Sequence, residues 1–444
     1  MNSKIPVMAS IVLAMLVASM DTTIINTTMP IIAAELGHFE LYAWSFASYM
    51  IVSTVVSPIA GRLSDLFGRK KIFGAGILMF LVGSMLCGLS QTMLQLVVFR
   101  GIQGIGAGIM MPFPAIIAGD LFSVEKRGKI QAFFTGMWGI SAIMAPMLGA
   151  IFVEYATWRW IFYINAPICL ISVGLLVFYK ESYEPRRSKV DYGGAVLFGA
   201  AISLLLCTTV VEKYTFVYGL LGVLLFAVFF MYERRHKSPI VPLTMLKNRS
   251  LAWMIINSFL GCAALFGTSS FIPLYLQNQG YSILVSGVAL LGMSFGWMTM
   301  SVPAGKWIIR WGYRPLLIIG NIFLVLSGLM LSMLQEHTSY TYVFVNMVVQ
   351  GLAFGMLSTV SIIGSQQLVE AHQKGISTSL MMFARNIGTA IGVTIMGAIV
   401  NKAADQFFAG IHHAFIYGLI VSLFAVFASL FVTKHNKETV RSAA

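Results

Sequence analysis

Asp21 stands in the stretch SMDTTIINTTMP, inside an apolar segment long enough to cross a membrane. An aspartate near the centre of such a span costs about 2.5–3.5 kcal/mol to insert. Something must offset that cost or use it. Removal from water disfavours a charged carboxylate, and a neighbouring cation favours it. A lone carboxyl in a span can therefore hold a proton in one state and release it when a cation arrives. The competing reading is an aspartate fixed in a salt bridge or a helix contact.

Two cations lie equally deep. Arg100 shares one face of its segment with Gln103, Gly104 and Ala107 by i, i+3, i+4, i+7 spacing. A buried guanidinium needs acceptors, so Arg100 either senses the protonation of Asp21 or crosslinks spans. Gly101, Gly104 and Gly108 on the same segment permit close approach of a neighbouring helix. Arg385, in MMFARNIGTAIG, either balances charge in a cavity, contacts a ligand there, or bonds to backbone across helices.

A third group lies in GRLSDLFGRKK, which begins at Gly61. Gly61 and Gly68 permit tight turns. Asp65 can pair with a cation or cap a helix start, because carboxylates favour helix N-termini. Arg62, Arg69 and Lys70 can reach acidic or carbonyl partners. This network reads as a latch that holds one side of the molecule shut. The alternative is a run of positive charge that only sets topology.

The elements that position these residues are membrane spans. Of 444 residues, 58% are hydrophobic and 10% charged, against about 25% charged in soluble domains. Spans are expected near 6–30, 43–62, 72–90, 93–119, 130–153, 160–179, 192–211, 215–232, 251–276, 284–309, 314–334, 341–364, 377–400 and 412–433. The expected class is an all-α polytopic membrane protein with about 14 transmembrane helices; the alternating ten-residue segments of a β-barrel are not seen. The N-terminal run with Lys4 reads as an uncleaved first span.

Of the 29 Lys and Arg, about 24 fall on one side of this arrangement, which places both termini in the cytoplasm. The net charge of +13 is then mainly a topology signal and gives no reason to expect nucleic acid as a partner. Cys87, Cys169, Cys207 and Cys262 fall in apolar segments and read as free packing thiols. No Gly-rich loop ending in Gly-Lys-Ser/Thr appears, nor HExxH, CxxC or a nucleophile elbow. The seven histidines sit at edges and tails, so an enzyme is not expected, and neither is a metal or another cofactor.

The chain repeats itself. GRLSDLFGRKK at Gly61 parallels GKWIIRWGYRP at Gly305, IQGIGAG ending at Gly108 parallels VQGLAFG ending at Gly355, and MLGAI at Met147 echoes IMGAI at Ile395. The order is the same in both halves. Two six-span bundles follow, residues 1–180 and 250–444, with two inserted spans and their connectors in 181–249. In the second copy Ile309 stands where Asp65 stands in the first, so the latch is expected to be asymmetric. Repeats of this kind enclose a central site and alternate access to it by rocking.

Asp21 in its segment, GRLSDLFGRKK, FRGIQGIGAG and WRWIFYINAP together resemble the 14-span drug:proton antiporter branch of the major facilitator superfamily, across essentially the whole chain. One feature departs from that pattern. The family's fifth span carries Gly-Pro and then Gly-Gly, whereas here Ala145 precedes Pro146 and Ala150 follows Gly149.

The resemblance implies a major facilitator fold and a proton-coupled efflux antiporter for lipophilic, often cationic or zwitterionic drugs, driven by the proton gradient. It implies Asp21 as proton carrier with Arg100 as its counterpart, a bacterial-type cell membrane, lipids as surroundings and a monomer. It also implies a cavity lined by Asn26, Tyr49, Gln103, Met137, Trp138, Phe271, Tyr275, Trp297, Asn346, Gln350 and Arg385. A facilitator or flippase of the same fold, carrying a lipid or an endogenous metabolite, is the alternative.

Overall fold

The computed structural model describes residues 4–37, 41–181, 191–208, 214–236, 239, 245–281, 283–335, 338–402 and 407–433. Among them the long elements are seventeen α-helices. They are α1 (Lys4–Leu36), α2 (Tyr42–Phe67), α3 (Arg69–Gly88), α4 (Met93–Met110), α5 (Phe113–Leu121), α6 (Val124–Tyr155), α7 (Trp160–Tyr163), α8 (Asn165–Leu176), α9 (Tyr192–Cys207) and α10 (Thr215–Glu233). They continue as α11 (Arg249–Ser269), α12 (Ile272–Asn278), α13 (Ile283–Trp311), α14 (Tyr313–Ser332), α15 (Tyr340–Gln367), α16 (Lys374–Lys402) and α17 (Phe407–Leu430).

Three pairs, α4 with α5, α7 with α8 and α11 with α12, each run on as one apolar stretch. Among the described residues eleven stretches are long and apolar enough to cross a membrane, and 160–176 and 192–207 are shorter apolar helices. With the 32-residue α6, this is a multi-pass membrane protein of all-helical class. Helices satisfy their own backbone in hydrocarbon, where water cannot. The interruptions have local causes. Pro112 has no amide hydrogen and separates α4 from α5. A proline also stands in the first turn of α12, where its missing donor costs nothing.

Packing divides the chain into two compact units. One comprises Met1–Leu121, Met137–Leu243 and Ala371–Ser379; the other comprises Phe122–Gly136, Thr244–Glu370 and Leu380–Ala444. In the first, α4 is packed by α2 and α3, α1 lies on α8, and the inserted pair α9 and α10 joins through α2. Its largest buried rings include Phe73, Phe80, Phe113 and Phe162. In the second, α15 is packed by α13 and α14, and α17 by α11 and α14. Its core includes Met254, Leu316, Met347, Phe354 and Phe415.

Each unit carries the same glycine scheme. A methyl group at Gly104 would stand 2.7 Å from the Tyr49 carbonyl oxygen, and one at Gly108 2.5 Å from that of Ser53, so α4 lies directly on the α2 backbone. In the second unit Gly351 meets the Met293 carbonyl, and a methyl at Gly355 would stand 2.6 Å from that of Trp297, which seats α15 on α13 in the same way. The chain also turns alike in both: Gly68 has φ 104° after α2, and Gly312 has φ 75° after α13. Gly61 differs from the sequence expectation. It lies within α2 rather than in a turn, because the helix runs on to Phe67.

Candidate functional site

Asp21 sits past the middle of α1 and is 1% exposed. Arg100 and Gln103 reach it from α4, which Thr92 starts by accepting the Gln95 amide. Arg100 Nη1 lies 2.5 Å from Asp21 Oδ2. The same nitrogen donates to Gln103 Oε1 at 2.7 Å, and Gln103 Nε2 donates to Asp21 Oδ1 at 2.8 Å. The three side chains form a closed ring. Arg100 Nε adds a long bond to the Ser45 carbonyl at 3.5 Å, and the guanidinium stands 4.2 Å from the centroid of the Tyr49 ring. The Tyr49 hydroxyl is buried without a hydrogen-bond partner.

The arrangement answers the cost of burying two charges. Attraction between buried ions offsets desolvation only when the remaining lone pairs and protons are also satisfied. Here both carboxylate oxygens accept, and the guanidinium has a carboxylate, an amide, a carbonyl and an aromatic face. Protonation of Asp21 would remove the charge that Arg100 faces while leaving the guanidinium its neutral acceptors. Gln103, expected to line a cavity, is fully buried and committed to this ring. The Ser45 carbonyl was not foreseen, since a backbone acceptor carries no sequence signature.

The second unit holds a neutral counterpart. Gln350 Nε2 donates to Thr268 Oγ1 of α11 at 2.7 Å, as Gln103 donates to Asp21. The sequence offset from Gln103 to Gln350 equals that from Asp21 to Thr268, and the same offset leads from Arg100 to Met347. Where the first unit has a carboxylate and a guanidinium, the second has a hydroxyl and a thioether.

The other expected lining residues fall in different settings. Asn346 is fully buried and clasps α14, donating to the Ser327 carbonyl at 2.9 Å and accepting from the Ser327 hydroxyl at 3.2 Å. The Tyr275 hydroxyl donates to the Gln335 carbonyl at 2.6 Å. Tyr275 borders a cavity of 290 Å³ with Gln335, Phe408, His412 and Phe415. Phe271 packs on the second unit's core. Met137 and Trp138 are half-buried on α6. Trp297 and Arg385 both lie against Phe354, at 4.6 Å between ring centroids and 4.8 Å from guanidinium carbon to centroid. The side chain of Asn26 lies outside the described residues.

The motif at Gly61 forms a second polar centre. Asp65 and Arg69 are buried and meet at 2.5 Å, and Arg69 Nε lies 2.9 Å from Asp120 Oδ2. Asp65 also accepts from the backbone of α16, from Gly375 N at 3.0 Å and Ile376 N at 2.8 Å. These are first-turn amides, which have no partner inside their own helix. A methyl at Gly375 would stand 2.5 Å from the Gly61 carbonyl oxygen, so the two backbones touch. Lys70 donates its amide to Glu181 at 2.7 Å and its ammonium to the Val177 carbonyl at 2.6 Å. Arg62 is half-buried, with Asp65 and Glu233 as its charged neighbours. Asp120 and Glu181 are members of this centre that the motif alone did not reveal.

The second motif copy places Gly305 against Gly128 of α6, with a methyl at Gly305 2.6 Å from the Gly128 Cα. Near that helix start Arg127 donates to Gln366 at 3.3 Å.

The family model described as Major Facilitator Superfamily matches residues 11–300 and 288–444. The chain belongs to the major facilitator superfamily. Among curated relatives in this superfamily, Multidrug resistance protein 3 of Bacillus subtilis (strain 168) is 35% identical over 416 residues, covering 90% of this chain and 81% of that protein. Multidrug transporter protein MdtP of the same organism is 31% identical over 409 residues, covering 89% and 75%. The crystal structure of the human organic anion transporter MFSD10 (TETRAN) superimposes with a TM-score of 0.71 at 16% identity, covering 97% of this chain and 100% of that one. At that identity the likeness is one of fold. Within the superfamily fold, the paired glycine contacts and paired corners described above are the structural counterpart of the sequence repeat.

Proposed function

We propose that this chain is a proton-coupled multidrug efflux antiporter. It exchanges protons for lipophilic, often cationic or zwitterionic compounds by alternating access, as a monomer in a bacterial-type cytoplasmic membrane with both termini in the cytoplasm. The observation that carries this reading is the ring of Asp21, Arg100 and Gln103, buried in α1 and α4. An ionised Asp21 holds Arg100 by charge; a protonated one offers it only a neutral acceptor. A binding equilibrium that changes the protonation of Asp21 therefore also changes how α4 is held to α1. The drug substrates follow the printed names of the relatives. Asp65 and its partners on α16 act as the latch of the cycle.

The test is uptake into inverted membrane vesicles energised with a pH gradient, using ethidium as substrate. Collapse of the gradient with an ionophore abolishes accumulation if the chain is an antiporter. Indifference to the gradient would make it a facilitator or flippase instead.

A further inference from the structure

Arg385 lies far from either end of α16. Along the axis it is about 16 Å from Lys374 and about 25 Å from Lys402, at 1.5 Å per residue. That is farther than an arginine side chain extends, so it does not reach the membrane surface along its own helix. Its surroundings are neutral and soft. The guanidinium stands over the Phe354 ring at 4.8 Å, Nη1 is 3.7 Å from Met382 Sδ, and the Cys262 thiol is adjacent. Among the described residues no carboxylate pairs with it.

Several other buried or half-buried arginines have an anion or an oxygen acceptor. Arg100 has Asp21, Arg69 has Asp65 and Asp120, Arg159 has Glu35, and Arg127 has the Gln366 amide and the Phe122 carbonyl. Aromatic and sulfur contacts are weak substitutes for an anion or a good oxygen acceptor.

A second donor belongs to another side chain packed on the same ring. Trp297 packs on Phe354 at 4.6 Å, and its indole Nε1, which can only donate, is buried with no acceptor. One turn earlier on α15, Gln350 Oε1 is buried with no donor. Buried polar atoms are nearly always paired. Two unsatisfied or undersatisfied groups against one ring, with a third one helical turn away on α15, mark a place that lacks its partner.

We infer that Arg385 and Trp297 form an anion-recognition subsite of the drug site, selecting substrates that carry a carboxylate next to an aromatic system. The inference rests on the reading of this chain as a drug transporter. The carboxylate takes the Arg385 fork and the indole hydrogen, and the attached ring system lies beside the Trp297 indole, the aromatic surface nearest that donor. The Gln350 oxygen is left for a hydrogen-bond donor of the same molecule, which favours zwitterions over simple anions.

The experiment measures equilibrium binding to purified full-length protein in detergent, with no gradient present, so that it does not depend on proton coupling. Three fluorescent probes are compared: rhodamine B, which carries a free carboxylate; the methyl ester of rhodamine B; and ethidium. Arg385→Gln is expected to weaken rhodamine B about tenfold or more, the loss of a charge-assisted bond, and to change the ester and ethidium less than about twofold. Arg385→Lys should fall between native and Arg385→Gln for the acid. Trp297→Phe keeps the ring and loses the donor, and should weaken the acid about threefold. Retained binding of the ester shows that each variant is folded. Equal weakening of acid and ester, or no weakening of either, overturns the subsite and leaves the drug-transport reading in place. If the native protein binds none of the three probes, the drug-transport reading falls, and this inference with it.

Discussion

Gln103 and Gln350 hold the same station in the two repeats, but Gln103 donates to the carboxylate of Asp21 and Gln350 to the hydroxyl of Thr268. The scaffold around this station is present twice, and only one copy carries the acid. Fold symmetry and chemical asymmetry therefore coexist: around the shared glutamine two stations differ, Asp21 being matched by Thr268 and Arg100 by Met347.

The first prediction concerns the acid itself. Asp21→Asn keeps the shape of the side chain and removes its charge. The protein should remain folded, and gradient-driven ethidium efflux should fall to background. Addition of substrate to native protein in weak buffer should release protons, and Asp21→Asn should release none. Undiminished release from the variant would remove Asp21 as the carrier.

The pair should also behave as a unit in stability. Arg100→Gln alone leaves a buried carboxylate without its cation, which costs about 3–5 kcal/mol in comparable sites. The double variant Asp21→Asn, Arg100→Gln removes both charges and should recover most of that loss. Thermal unfolding of the purified single and double variants measures the coupling. Additive losses would show that the two residues do not depend on one another.

How far the sequence revealed this centre follows from what spacing encodes. Helical periodicity put Arg100 and Gln103 on one face, and hydropathy put Asp21 in a span, so the members were readable. Their mutual bonds were not, because spacing names a face and not its partner. For the same reason Asn346 and Gln103 read as cavity residues, and their bonds to Ser327 and Asp21 could not be read from the sequence. The repeat was legible because glycines that meet another backbone leave no room for a side chain, so both copies keep them. The seating of α9 on α2 was hidden, since a helix apolar on all sides shows no preferred face.

The glycine contact at the motif yields a steric prediction. Gly375→Ala places a methyl 2.5 Å from the Gly61 carbonyl oxygen and 2.6 Å from Asp65 Oδ1. Neither backbone nor buried carboxylate moves easily, so transport should slow severalfold and thermal stability should drop. Gly139→Ala is the control, because nothing lies within 4 Å of a methyl there. Asp65→Asn should act in the same direction as Gly375→Ala, since an amide cannot accept at both oxygens. Native rates in both variants would dismiss the latch.

Glu35 supplies a pH dependence at the opposite end of α1. Its carboxylate accepts from Arg159 Nη1 at 2.8 Å and Trp158 Nε1 at 2.9 Å. The hydrogen bond from Arg159 holds its pKa below the ordinary 4.5. A depressed carboxylate pKa adds stability above the unfolded value and loses it as pH falls through the folded one. Native protein should therefore exceed Glu35→Gln in Tm at neutral pH, and the gap should close as pH drops below 4.5. The group is half-exposed, so the gap should be no more than about 1 kcal/mol.

A neutral second repeat also limits the charge that can be exchanged. With Thr268 where a second acid would stand, dicationic dyes should be exported less well than monocations of matched size. Rates for ethidium and propidium in the vesicle assay compare them. Equal export of both would require an acid not described here.

The meeting of Gly61 with Gly375 has a mechanical consequence. The two peptide backbones lie in direct contact, with the small Ser379 side chain beside Gly61, so few side chains stand between them. Grip at that crossing includes the directional bonds of Asp65 to the first amides of α16, which are made or lost within a displacement of about an ångström. If this joint is the latch of the cycle, it should act as a snap fastener, holding until the carboxylate slips and then releasing within that short displacement.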